Sequence, residues 1–166
     1  MRGIAYMVFA VVFFANFMEP LLEVIECSRE KIMISTALNN AFRAARDRSL
    51  TETSIRDLNA EVDKEKFVDY FAETFASNLD LDISSKNEEY IIFNCNDGRF
   101  NNFRIDLDIY NDSIYSAADA YDKEATRIDI ALETEYLFKT KLLKQIQETT
   151  DYAIEMETTY LLWVKN

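Results

Sequence analysis

The sequence predicts an α+β protein in which a long N-terminal membrane-anchoring helix and a second helix accompany a four-stranded antiparallel sheet. Residues 3–18 are uncharged and apolar, and three- and four-residue spacing of apolar side chains then continues to about residue 47. The same spacing recurs over 54–78, and strict alternation takes over from residue 89. The second helix and the distal part of the first should cover the apolar face of the sheet.

The uncharged N-terminal stretch is the strongest single feature of the sequence. As a helix, residues 3–18 reach about 24 Å, which is shorter than the hydrocarbon core of a bilayer at about 30 Å. The apolar trend resumes after Pro20, so a span of Ile4–Ile25 suffices if Glu19 and Glu23 lie near the interface or face protein. A retained membrane helix is therefore favoured.

Two other interpretations of this stretch remain open. A cleaved secretory signal needs small residues at its cleavage site, whereas this run ends in Phe13-Phe14-Ala15-Asn16-Phe17-Met18. A buried core helix would rarely lie at the extreme N-terminus with no polar face. For the membrane helix, Arg2 on the short N-terminal side favours a cytoplasmic N-terminus and an extracytoplasmic remainder. The predicted domains are an anchor (1–25), a juxtamembrane continuation of the helix (26–50) and an extracytoplasmic α+β head (51–166).

The second helix is predicted over 54–78, with Ser54 as its N-cap. Its buried face would consist of apolar residues at helical spacing: Ile55, Leu58, Val62, Phe67, Phe71 and Phe75.

Four strands are predicted from alternating apolar residues, at 89–95, 103–109, 128–136 and 152–163. Asn96-Asp97-Gly98 should form the first turn, since Asp-Gly suits the positive φ angles of a type I′ hairpin. The sequence leaves 113–124 open between a short helix and an irregular link. A brief helical crossover is expected over 138–147.

Composition excludes several common kinds of enzyme. The chain has no histidine and only two glycines, which removes Ser-His-Asp and Cys-His nucleophile systems, histidine-ligated metals and glycine-rich phosphate loops. A net charge of −12 disfavours nucleic acid, whose phosphates it would repel. We therefore expect a structural or interaction protein with no catalytic residues, no cofactor and no metal.

The remaining candidate sites have ordinary explanations. Asp80/Asp82 and Asp106/Asp108 resemble the start of a calcium loop, but neither is followed by the required glycine and closing glutamate. The pairs Glu133/Glu135 and Glu155/Glu157 are spaced like strand residues on a solvated face rather than like glycosidase carboxylates. Cys27 and Cys95 could form a disulfide in an exported protein, although one lies near the anchor and the other in the head.

The N-terminus, Arg2-Gly3-Ile-Ala-Tyr-Met-Val8-Phe9-Ala10-Val11, resembles that of TadE-like pseudopilins of tight-adherence (type IV-like) pili. The helix around Leu38-Asn-Asn-Ala-Phe-Arg-Ala-Ala45 and the closing pair of strands are also similar to that family. The resemblance implies that Gly3 is the residue cleaved by a prepilin peptidase and that Phe9 is the aromatic of the processing motif. Val8 stands where the family has glutamate, a departure that minor or initiating pseudopilins tolerate best.

The resemblance implies a single-pass membrane protein that acts as a minor subunit or assembly factor of a surface filament. Its partners would be other pilin-like subunits, the pilus assembly machinery, a prepilin peptidase, and membrane lipid through residues 4–25. Its location would be the cell membrane, with the N-terminus in the cytoplasm and the extracytoplasmic head displayed in a surface filament. The alternative is a signal-anchored extracytoplasmic binding or sensor domain that forms no filament.

Overall fold

The structure is a computed structural model that describes residues 2–50, 62–116, 122–150 and 153–162. The elements, in chain order, are α1 (Arg2–Ser49), α2 (Lys64–Leu79), β1 (Leu81–Lys86), β2 (Tyr90–Cys95), β3 (Phe103–Ser116), β4 (Asp122–Glu135), α3 (Lys141–Thr149) and β5 (Ala153–Leu162). The predicted α+β class with a long N-terminal helix is confirmed. Helix α1 is 48 residues long and continues through Pro20.

The sheet has five strands rather than the four predicted, in the order β1-β2-β3-β4-β5, and every neighbouring pair is antiparallel. The additional strand is β1, at one edge. Its pairing with β2 shifts register between Ile83 and Ser85, and only Leu81 of its six residues is buried. A short edge strand with an interrupted alternation gives little periodic signal, which explains why the sequence did not predict it.

Helix α2 begins later than predicted, at Lys64. Its N-cap is Asp63, whose carboxylate accepts a hydrogen bond from the Lys66 backbone N–H at 3.2 Å. The preceding residue, Val62, lies outside the helix and forms an isolated antiparallel bridge with Leu50. Ser54, the predicted N-cap, and the rest of 51–61 lie outside the described residues.

The long β3–β4 hairpin resolves most of the ambiguous stretch 113–124. Strand β3 continues to Ser116 and β4 begins at Asp122, while 117–121 lie outside the described residues. The register shifts between Tyr110 and Ser113, and within this bulge Asn111 donates an amide N–H to the Val62 carbonyl at 3.1 Å. That hydrogen bond ties the end of the α1–α2 connection to the sheet.

The β2–β3 turn is wider than the predicted type I′ hairpin, because it spans residues 96–102 between the two strands. Gly98 has a φ of 67°, as the Asp-Gly pair indicated. A type I′ turn needs two consecutive positive φ angles, and Asp97 does not adopt one. The extra length forms a loop that reaches α1.

The core lies between one face of the sheet and the two long helices, as predicted. Phe75 of α2 illustrates the packing, with its ring centroid 5.1 Å from that of Phe93 and 6.1 Å from that of Phe103. Burying several such rings supplies most of the stabilisation of a head of this size. The largest fully buried side chains come from both helices and from strands β2, β3 and β4: Ile34, Leu38, Phe67, Phe71, Phe75, Ile91, Phe93, Phe103, Ile105, Ile128, Ile130 and Leu132.

Candidate functional site

The first twenty residues of α1 after Arg2 have no partner in the fold, and we term residues 3–22 the apolar segment. All of them are exposed except Pro20, which is half-buried. Large apolar side chains that would be buried in a soluble protein are exposed here, from 48% for Phe13 to 74% for Tyr6. Helix α1 is long and apolar enough to cross a membrane, and only 6% of its most apolar window is buried. The core-helix interpretation is therefore wrong, because a core helix would be packed.

The length of the apolar segment matches a bilayer. Twenty helical residues extend about 30 Å, the thickness of the hydrocarbon core. The first buried residue after it is Glu23, so the exposed segment ends where the head begins.

The surface of the apolar segment is not uniform. Phe9, Phe13 and Phe17 form a row along one side, with successive ring centroids 6.2 Å and 4.4 Å apart. Gly3 and Ala10 are seven residues apart, which places both on one side of the helix, and nothing beyond the adjacent helix backbone lies within 4 Å of the position that a Gly3 Cβ would occupy. Small residues on one face permit close approach of a second helix.

Asn16 and Glu19 are the strongly polar residues inside the apolar segment, and Asn16 is the one further from its C-terminal end. Its amide Nδ2 donates to the Val12 carbonyl at 2.7 Å. An asparagine side chain offers two N–H donors and a carbonyl acceptor, so this bond uses only part of its capacity. In hydrocarbon, a second helix is a natural source of partners for the remainder.

The structure places the residues of the processing motif on the first turns of α1. Gly3 lies in open space, and Val8 and Phe9 are 58% and 69% exposed. They follow one another along the helix, and no fold contact draws them into a pocket. Val8 leaves this stretch without the carboxylate that the family carries there.

Glu23 joins the end of the apolar segment to the head. Its carboxylate accepts hydrogen bonds from two backbone N–H groups, that of Lys139 and, at 3.0 Å, that of Thr140. Thr140 is the N-cap residue of α3 and makes no side-chain capping bond of its own. A helix N-terminus attracts a negative charge, so Glu23 fixes the start of α3 against α1.

A second connection lies two turns further along α1. Arg99, in the β2–β3 loop, forms an ion pair with Glu30 through its Nη1 and with Asp97 through its Nε. Asp97 also accepts the Arg99 backbone N–H and the Cys95 thiol, both at 2.9 Å. Partial burial acts to raise the pKa of Asp97, but the bonds from Cys95 and Arg99 together outweigh it and hold that pKa below its ordinary value.

A third connection between α1 and the head lies further along α1, at the edge of the sheet that β5 forms. The Tyr160 hydroxyl of β5 donates to the Asn39 amide oxygen at 2.7 Å. The Tyr160 ring stacks on Phe42 with centroids 3.6 Å apart and planes at 10°. Helix α1 is thus fixed to the head along its whole distal half, from Glu23 upward.

Cys27 and Cys95 are both thiols in the structure, so the disulfide that the sequence leaves open is not formed there. Cys27 is buried in the core, 3% exposed, while Cys95 is half-buried beside Asp97. Burial and donation to the Asp97 carboxylate raise the pKa of the Cys95 thiol, which lowers its reactivity.

The acidic pairs occupy strand and turn positions rather than a cleft. Asp106 and Asp129 lie on the open face of the sheet and pair with neighbouring arginines, and Asp82 accepts a hydrogen bond from the Asn96 amide at 2.8 Å. Glu133 and Glu155 face each other across β4 and β5 and are exposed. Within the described ranges, no three histidine, cysteine or acidic side chains come together as a metal site would require.

Glu23 and Arg99 connect α1 to the head, and the sequence did not reveal these roles. A glutamate next to an apolar segment does carry a signal, because a charge there needs a partner, but the sequence does not say which one. Lys139 and Thr140 follow Glu23 by more than a hundred residues, so only the fold brings them together.

No protein-family model, curated protein or solved structure matches this chain.

Proposed function

We propose that this chain is a single-pass membrane protein of pilin-like design that acts as a minor subunit or assembly factor of a surface filament. The apolar segment lies in the bilayer, the N-terminus faces the cytoplasm, and the acidic head stands outside the cell membrane. Its partners are other pilin-like subunits and the machinery that assembles them. The proposed role requires no bond-making step.

The observation that carries this proposal is the continuity of α1. One unbroken helix of 48 residues contains both the exposed apolar segment and part of the head core. Its residues Ile34, Leu38 and Ala41 are buried in that core. A domain on a flexible tether would move independently of its anchor, whereas here any lateral packing of the anchor sets the position of the head. Rigid coupling of this kind suits a subunit that stacks with neighbours.

The surface of the apolar segment supports lateral association. Gly3 and Ala10 allow close approach on one side, and Asn16 offers hydrogen-bonding capacity at mid-membrane depth. The resemblance noted above assigns the missing charge at Val8 to a minor or initiating subunit, because a first subunit has no preceding amine to neutralise.

Cysteine crosslinking in native membranes tests the proposal. The natural Cys27 is unsuitable because it is buried, so we would introduce Ala10→Cys in a Cys95→Ser chain and place the control cysteine on the head as Asp108→Cys. We expect Ala10→Cys to crosslink to a second copy or to another pilin-like chain, and Asp108→Cys to crosslink far less. A monomer band alone for both variants contradicts the filament role.

Asn16 provides a matched pair of variants in the same assay. Asn16→Leu should reduce the Ala10→Cys crosslink, since interhelical hydrogen bonds in membranes contribute about 0.6–2 kcal/mol. Asn16→Gln keeps the amide and should preserve the crosslink. Equal yields for both variants would show that Asn16 plays no part.

A signal-anchored binding or sensor domain is the second candidate, and Val8 is the observation that favours it. Without a carboxylate at position 8, one means of pairing with a neighbouring subunit is missing. Such a protein would fractionate with membranes as a monomer and would copurify with no pilin-like chain.

A further inference from the structure

Helix α3 is an exposed amphipathic element at the end of the head nearest the apolar segment. None of its nine residues is buried. Leu142 and Ile146 are 48% and 52% exposed and lie four residues apart, hence on one side of the helix. Leu137, just before the helix, is also exposed at 39%. Three large apolar side chains thus face solvent within ten residues.

A second side of α3, about 100° round the helix from Leu142 and Ile146, holds the helix to the head. Leu143 packs against the core, and the Gln147 amide donates to the Glu135 carboxylate at 2.8 Å and to the Tyr136 carbonyl at 2.7 Å. The orientation of α3 is therefore set by the fold, and Leu142 and Ile146 are left outward.

The charge of this region has the opposite sign to that of the whole chain. Residues 137–149 contain Lys139, Lys141 and Lys144 against the single Glu148, a net charge of +2 in a chain whose total is −12. The three lysines are exposed. An amphipathic helix with lysines beside outward apolar residues is typical of segments that lie in the interface of a bilayer.

The position of α3 relative to α1 identifies the surface that it meets. Glu23, which binds the backbone of Lys139 and Thr140, is the residue immediately after the apolar segment. If residues 3–22 fill the hydrocarbon core, Glu23 lies at the level of the headgroups. The start of α3 then lies at the same level, because it is hydrogen-bonded to Glu23. The part of β3 near Tyr110 is far from this plane, since the adjacent Asn111 donates to the Val62 carbonyl and Val62 bridges to Leu50, about 40 Å further along α1 than Glu23.

We propose that α3 rests on the surface of the same bilayer that holds α1, with Leu142 and Ile146 in the interface and the lysines at anionic lipid phosphates. The head then has two contacts with the membrane, the spanning helix and α3, which fix its tilt and rotation. This inference rests on the membrane anchoring in the proposed function, but it does not depend on filament formation.

Lipid-depth quenching of the full chain in vesicles tests this inference. Trp163, the only natural tryptophan, would be replaced by phenylalanine, and one new tryptophan would be placed at the exposed position 142 (Leu142→Trp) or, as a control, at the distant exposed position 110 (Tyr110→Trp). Both variants would be reconstituted into phosphatidylcholine vesicles containing phosphatidylglycerol and lipids brominated near the headgroup. We expect quenching of the tryptophan at 142 and little at 110. Equal, weak quenching in vesicles that carry the chain overturns the inference.

The lysines are tested separately, by replacing Lys139, Lys141 and Lys144 with glutamine. Each lysine near an anionic surface favours docking about fivefold, so the triple variant should lose most of the quenching at position 142 in anionic vesicles. Unchanged quenching overturns the headgroup contact. Flotation of the vesicles separates the two proposals, because a chain that does not float refutes the anchor itself, whereas a chain that floats without quenching refutes only the docking of α3.

Discussion

At the scale of single residues, Glu23 connects the anchor to the head. A carboxylate at 7% exposure needs partners that replace its lost water, and two backbone N–H groups at the start of α3 supply them. These N–H groups have in turn no acceptor within their own helix, which is the general condition of a helix N-terminus. The Glu23 carboxylate and the two N–H groups therefore satisfy each other's hydrogen bonding, and removing either leaves a buried polar group without a partner.

Glu23→Gln should destabilise the head by about 1–3 kcal/mol, because the amide turns one acceptor into a donor and sets it against a backbone N–H. Glu26→Gln is the matched control, since it makes the same charge change three residues away at an exposed position. That variant should remain within about 0.5 kcal/mol of the parent. Denaturant unfolding of the full chain in detergent measures both, and equal stabilities would contradict the role of Glu23.

Asp97 makes the stability of the head depend on pH. Because the folded state holds its pKa below the unfolded value of about 3.9, its contribution is complete above that value and is lost as the pH falls through the lower folded pKa. Asp97→Asn should therefore reduce stability at neutral pH and flatten the acid limb of the stability profile. Asp108→Asn, on the open face of the sheet, is the control. Melting temperatures from pH 2 to about pH 7 test this, and parallel profiles for Asp97→Asn and the parent chain would contradict it.

At the scale of elements, α2 is the layer that closes the sheet. Phe67, Phe71 and Phe75 lie one turn apart and are fully buried, with successive ring centroids 6.1 Å and 6.0 Å apart. The row connects α1 to the sheet, since the Phe67 ring centroid is 6.0 Å from that of Phe42 in α1 and the Phe75 ring centroid is 5.1 Å from that of Phe93 in β2.

Phe71→Ala should cost about 3–5 kcal/mol, because it removes a fully buried ring and leaves a cavity in the middle of the row. Glu73→Ala, two residues away on the exposed side of the same helix, should be nearly neutral. The free energy of unfolding in detergent is the measurement. A loss below 1 kcal/mol for Phe71→Ala would mean that α2 does not pack as described.

Periodicity predicted the elements whose side chains face a single environment. Phe67, Phe71 and Phe75 marked α2, and the alternation through Ile105 and Leu107 marked β3, because one face of each is buried. The same signal failed at β1, where a bulge near Ile83 interrupts the alternation, and at the start of α2, where a capping carboxylate rather than an apolar period decides the boundary. The uncharged N-terminal stretch predicted a long apolar helix, and α1 confirms that helix. The contact between Glu23 and the start of α3 could not be predicted from the sequence, because the whole sheet lies between them along the chain and only the fold brings them together.

At the scale of the whole molecule, the chain combines an apolar rod with an acidic head that share one helix. The apolar segment of α1 needs lipid or other apolar helices to cover it, since in the described structure residues 3–22 are exposed apart from the half-buried Pro20. The head needs water on its open face, where Arg104–Asp106 and Arg127–Asp129 pair across the surface. The proposed anchoring in a membrane would satisfy both requirements together.

The central claim is that residues 3–22 stay in the bilayer of the native host, with the head outside. The most direct test is alkaline carbonate extraction of the membranes, followed by N-terminal sequencing of the recovered protein, with a Phe13→Lys variant for comparison. The account predicts that the parent chain remains in the membrane pellet with the apolar segment intact, beginning at Met1 or just after Gly3, while Phe13→Lys is retained less well. Recovery of the parent in the soluble fraction, either with Met1 in place or cut after the apolar segment, would contradict it.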